Sequence, residues 1–141
     1  MVSGRHDIRA EGVVPPSGSY SHAIRHGAVL YLAGQGPFDL AGEVVGASVA
    51  EQTRQVLANL DAVARAAGGR LADAVRVGVY LARLDDFDEM DGEYRRHFVE
   101  PLPARTTIET PLAGFLVEID AIVALGPDAA ADCHPGDRAG G

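Results

Sequence analysis

Apolar and small residues recur every three to four positions between Val49 and Ala67. Val49, Thr53, Val56, Leu57, Leu60, Val63, Ala64 and Ala67 fall on one face, the spacing of an amphipathic helix. Ser48 precedes the run and Glu51 lies three residues on, so the pair reads as a capping box in which each side chain serves the other's amide. Gly68-Gly69 follows and supplies a left-handed stop. Only one face is apolar, so this helix is expected to cover a sheet rather than cross the middle of a bundle. A second stripe of Phe87, Met90, Tyr94 and Phe98 predicts a helix from about Asp86, with acids in its first turn and Pro101 and Pro103 ending it.

A different period governs the rest. Val75, Val77, Val79 and Leu81 alternate with Arg76, Gly78, Tyr80 and Ala82, the pattern of a half-buried strand. Ser3–Glu11 is polar with room for one short strand, and His26-Gly27 reads as a turn between two more, the second at Val29–Ala33. Ala104–Glu109 and Val117–Leu125 close the series. The order β-β-β-α-β-α-β-β predicts an α/β (α+β) two-layer sandwich, a mixed six-stranded sheet with two helices on one face. Tyr80, Ile122 and Ala124 make the other face partly apolar, which points to self-association. Residues 1–125 read as one domain, and the Gly-, Ala-, Asp- and Pro-rich stretch Gly126–Gly141 as a disordered tail.

Composition narrows the function. A formal charge of −8 over 141 residues argues against nucleic acid and anionic lipid as partners, since both need a cationic surface. All 12 basic residues are arginine, so no lysine amine can form a Schiff base. The single cysteine, Cys133, excludes an intramolecular disulfide and falls in the expected tail, where nothing would activate it. His6, His22, His26, His97 and His134 are scattered without metal-ligand spacing, and His22 and His26 read as surface residues. No apolar run is long enough to cross a bilayer and the N-terminus lacks a signal-peptide core, so the cytoplasm is the expected compartment.

Arg105 and Glu118 remain as candidate chemistry. Alternation puts Arg105 and Thr107 on one face of their strand, and Glu118 with Asp120 on one face of the next. By themselves these residues read better as a cross-strand ion pair on a solvated sheet face, and their spacing earns no catalytic role.

Five segments in order change that balance: SYSHAIRHGAVLYLAGQGP, EQTRQVLANLDAVARAAGG, DAVRVGVYLARLDDFDEMDGEYRRHF, PLPART and LVEIDAIVAL. From about Ser17 to Leu125 they resemble the reactive intermediate deaminase family, known also as YjgF/YER057c/UK114. The resemblance implies a chorismate-mutase-like homotrimer with active sites in clefts between subunits. It implies hydrolysis of enamines and imines such as 2-aminoacrylate to 2-oxo acids and ammonia, with no metal or cofactor. Arg105, in PAR, would grip the substrate carboxylate, for which a guanidinium suits by forming two parallel hydrogen bonds. Glu118, in VEI, would position water and, near Arg105, would stay ionised. Tyr20, in SYS, would line the cleft from the adjacent subunit, and the backbone of Gly34 and Thr107 would border the substrate.

Four departures from the family pattern stand out. Ala33 replaces a serine and removes a hydroxyl from the cleft, while Thr107 replaces a frequent cysteine. The connection from Arg105 to Glu118 is shorter than usual. Asp91 replaces an asparagine, adding negative charge beside an anionic ligand, which costs binding unless the carboxylate is protonated, paired with an arginine or turned away. The changes suit a larger imine or unsaturated acid as substrate; a noncatalytic trimer that binds small metabolites or partner proteins is the alternative.

Overall fold

A computed structural model describes residues 4–127. The strands are β1 (Arg5–Ile8), β2 (Ala23–His26), β3 (Val29–Gln35), β4 (Ala74–Leu81), β5 (Ala104–Glu109) and β6 (Val117–Ala124). The helices are α1 (Val49–Ala66) and α2 (Phe87–Arg95), so the element order is the expected one. Cys133 and His134 lie outside the described residues, as does most of the expected tail.

Local chemistry sets the ends of α1. The Ser48 hydroxyl accepts the Glu51 amide at 3.1 Å, a cap worth about 1 kcal/mol. The box is half made: the Glu51 carboxylate takes the Ser48 hydroxyl, not its amide. At the other end Gly68, at φ 83°, lets its own amide reach Arg65 and the Gly69 amide reach Ala64, the paired bonds of a Schellman stop. Helix α2 is shorter than its stripe predicts. It stops at Arg95, before the prolines, and the Arg95 side chain donates to the Phe98 carbonyl at 3.0 Å. Phe98 still packs into the core from beyond the helix end.

The sheet runs β1-β2-β3-β6-β4-β5, antiparallel except for the β4–β5 pair. Leu30, Leu32, Val77, Val79, Leu81, Val117, Ile119, Ala121 and Val123 bury one face beneath α1 and α2. The six-stranded two-layer expectation therefore holds. Two details differ. Strand β5 is an edge strand and does not adjoin β6, because β4–α2–β5 is a parallel crossover unit. The connection 110–116 then crosses the end of β4, tied to it by Thr110–Leu81 and Ala82–Leu116 backbone bonds. It delivers β6 between β3 and β4. A bulge between Ala74 and Arg76 also breaks the alternation of β4. It puts Ala74 in the core and leaves Val75, expected to be buried, 52% exposed. Among the described residues no helix is long and apolar enough to cross a membrane.

Candidate functional site

The sequence-predicted site residues separate into two groups, one on each face of the sheet. Arg105 pairs in register with Val77 and Thr107 with Val79. Both therefore lie on the helix-covered face. Glu118 pairs with Tyr80 and Asp120 with Gly78 on the opposite, uncovered face. The cross-strand ion pair that the residues alone permitted is thereby excluded. So is a direct Arg105–Glu118 contact within one chain.

Helix α2 builds the setting of Arg105. Phe87, Asp91 and Tyr94 are spaced four and three apart, so they share the helix face turned to the edge strand. The guanidinium lies 4.5 Å from the Tyr94 ring centre and 5.4 Å from that of Phe87. Its Nη1 donates to the Asp91 carboxylate at 2.7 Å. Two rings and an ion pair thus hold one planar cation, a combination that guanidinium tolerates well because it is weakly hydrated. Arg105 is 18% exposed and Asp91 46% exposed at the side chain. Of the three ways Asp91 could be accommodated, pairing with an arginine is the one present, and the partner is Arg105.

The second group is shaped by backbone. Strand β3 carries an extra residue between Leu32 and Gln35, opposite Asp120 of β6, a bulge that puts Ala33 and Gly34 beside Glu118. A Cβ on Gly34 would stand 2.7 Å from the Glu118 carboxylate. Only a glycine leaves room for that side chain as placed. Tyr20 completes the wall. Its hydroxyl accepts the Ser17 amide at 3.1 Å, and the residue stays 47% exposed. Tyr20, Ala33, Gly34 and Glu118 line an opening of about 270 Å³. Tyr20, Gly34 and Glu118 also line a larger cavity of about 430 Å³.

Several contributors were not visible as site residues in the sequence. Phe38 and Phe115 meet edge to face at 5.1 Å and form an apolar wall of the larger cavity. Asn59 of α1 donates to the carbonyls of Gly36 and Phe38, fixing the turn after β3. His22, expected on the surface, is 3% exposed. Its Nδ1 accepts the Ala10 amide and its Nε2 donates to the Val14 carbonyl. It is a loop staple, satisfied on both nitrogens. The aromatic brace of Arg105 was detectable, since Phe87 and Tyr94 lay on the predicted stripe, but only as core.

Burial and then the neighbouring Asp120 push the Glu118 carboxyl above its ordinary 4.5. Within one chain no cation lowers it, because Arg105 lies on the other face of the sheet. Asp120 in turn accepts from the Tyr80 hydroxyl at 2.8 Å. A carboxyl poised above its usual range, beside a cavity, is suited to exchanging protons with water. Among the described residues no cluster of His, Cys, Asp and Glu could hold a metal ion.

The chain is similar to known proteins over most of its length. A family model described as Endoribonuclease L-PSP matches residues 12–125. A RutC family protein of Pyrococcus horikoshii is 42% identical over 118 residues, covering 82% of this chain and 94% of that protein. A 2-iminobutanoate/2-iminopropanoate deaminase of Dermatophagoides farinae is 32% identical over 114 residues, covering 78% and 88%. The crystal structure of RidA from an Antarctic Psychrobacter superposes with a TM-score of 0.80 at 32% identity, covering 86% of this chain and all of that one.

Proposed function

Because the chain belongs to the reactive intermediate deaminase (RidA/YjgF) family, we propose that it hydrolyses 2-imino acids and their enamine tautomers, of the 2-aminoacrylate kind, to 2-oxo acids and ammonia. The observation that carries this reading is Arg105, a guanidinium braced by Tyr94 and Phe87 before any ligand arrives. Preorganisation of that kind suits a carboxylate anchor. The named activity of the mite relative lends the reaction class.

The division of the site between two sheet faces is the reason to propose a homotrimer. One chain cannot present Arg105 and Glu118 to the same small molecule. The uncovered face, with Tyr31 and Ile108 exposed, offers a surface on which copies can pack. In such a cleft Arg105, with the Thr107 backbone, comes from one subunit. Glu118, Gly34 and Tyr20 come from its neighbour.

The substrate carboxylate binds Arg105, and Glu118 takes a proton from water as the oxygen attacks the protonated imine carbon. The C–O bond forms as the C=N π bond opens, giving a carbinolamine. Glu118 returns the proton to nitrogen, the C–N bond breaks, and the hydroxyl proton is lost as the carbonyl forms. The net change is iminium plus water to 2-oxo acid plus ammonium. No external oxidant or reductant is required, and a protonated imine carbon is already a good electrophile.

The ribonuclease wording of the family description finds little support in this chain, whose −8 charge opposes a polyanionic substrate. The alternative of a noncatalytic binding protein rests on the Arg105–Asp91 pair, which leaves the anchor already partnered.

The test is hydrolysis of imines made in situ from amino acids by an amino-acid oxidase, with complementation between variants. Arg105→Ala and Glu118→Gln are each expected to be inactive while keeping the wild-type sedimentation behaviour. Mixed and reassembled in equal amounts, they should recover about a quarter of wild-type activity, because only cleft pairings with both native residues work. No acceleration by wild type with any imine would sink the deaminase reading. Activity without recovery on mixing would sink the shared cleft.

A further inference from the structure

Charge around the anchor carries a further step, which rests on Arg105 being the carboxylate anchor. Asp91 occupies Nη1 of Arg105 at 2.7 Å, and its carboxylate is half exposed, so it reaches the solvent side where a ligand would approach. On the other wall Glu118 is, among the described residues, the only Asp, Glu, Lys or Arg lining the 430 Å³ cavity. The remaining lining there includes Val14, Pro15, Phe38 and Phe115. His22 is satisfied by Ala10 and Val14 and offers no spare donor. Arg105, Asp91 and Glu118 therefore sum to −1 when both acids are ionised. Among these three groups one substrate carboxylate has one cation to meet, and a second has none.

We propose that Asp91 is the specificity-determining residue of this site: by pairing with Arg105 it admits 2-imino acids with a neutral or apolar side chain and rejects those with a second carboxylate. A single carboxylate can use the free edge of the guanidinium, which has five donors in all. It does so within a few ångströms of the Asp91 charge, so binding is weaker than an unpaired arginine would give. A side-chain carboxylate meets that repulsion again and must also leave water for a wall of Phe38, Phe115 and Val14. An apolar side chain gains from the same wall.

The asparagine isostere separates charge from position. Asp91→Asn retains an oxygen that accepts from Arg105 Nη1 and removes only the negative charge. The experiment compares wild type, Asp91→Asn and Arg105→Ala, all full length, on imines generated from leucine and from glutamate by the matching oxidases. Wild type is expected to prefer the leucine-derived imine by about a hundredfold in kcat/KM. Asp91→Asn should lower KM for that imine about tenfold with little change in kcat, and shrink the preference about tenfold. An unchanged preference in Asp91→Asn overturns the proposal. So does a wild type that takes both imines equally, a measurement that needs no variant to fold. The underlying anchor reading fails separately, if Arg105→Ala keeps the wild-type KM for the leucine-derived imine.

Discussion

The two walls of the candidate site are built by opposite means. The Arg105 wall is made of side chains: a cation clamped by Phe87, Tyr94 and Asp91, all from one helix. The Glu118 wall is made of backbone: a bulge in β3 and a glycine that clears space for a carboxyl. A permanent charge can be bound in place by rings and a counter-ion without losing its function. A carboxyl that must gain and lose a proton is better served by an absence of partners. The Glu118 carboxyl is pushed up by burial and by Asp120, with no cation from its own chain to lower it. In the proposed roles, anchoring and proton transfer call for different surroundings, and the sheet keeps Arg105 and Glu118 apart.

Breaking the side-chain wall should have the largest effect. Tyr94→Ala removes a buried ring that lies both under the guanidinium and against Phe98. Thermal or denaturant unfolding should show a loss of about 3–5 kcal/mol. KM for imines should rise in whatever protein remains folded. A variant as stable as wild type would mean that the ring contributes no packing.

The backbone wall should break without that cost. In Gly34→Ala the new methyl displaces the end of a flexible side chain, so stability should change by less than about 1 kcal/mol. The fall in kcat should nevertheless be about tenfold or more, since a small misplacement of the water-holding group is expensive. Equal losses in stability and in kcat would show that the two walls do not differ in kind.

The smallest effect sharpens the comparison through pH. If ionised Glu118 is the working form, activity falls as pH drops through its folded pKa, which lies above 4.5. The acid limb of kcat/KM should therefore sit at higher pH than an ordinary glutamate would give. The same raised value makes ionised Glu118 a stability cost. Stability should fall as pH rises from 4.5 through the folded pKa, and Glu118→Gln should remove that slope. A limb at or below 4.5 would show that the assembled cleft brings a cation close to this carboxyl after all.

Much of this was legible in the chain. Period 3.6 and period 2 placed both helices and the strands, because burying one face imposes those repeats on any sequence. The Ser48 cap and the Gly68 stop were readable because they act within a few residues. The PAR and VEI segments marked Arg105 and Glu118 as candidates, while the structure chose pairing with an arginine among the three options open for Asp91. What local pattern does not encode is which strand sits beside which. The chain lists β5 and β6 in succession, yet the crossover and the connection over the end of β4 separate them. That separation sent Glu118 to the face away from Arg105, where burial and Asp120 raise its carboxyl. The bulges at Ala74–Arg76 and Leu32–Gln35 arise likewise from pairing between distant strands, and they decided the exposure of Val75 and the space around Gly34. The sequence by itself determined the elements and the residue types available for chemistry, since both follow from short-range sterics and burial. Only the tertiary structure decided which of those residues can meet, because strand order and register depend on contacts between segments far apart in the chain.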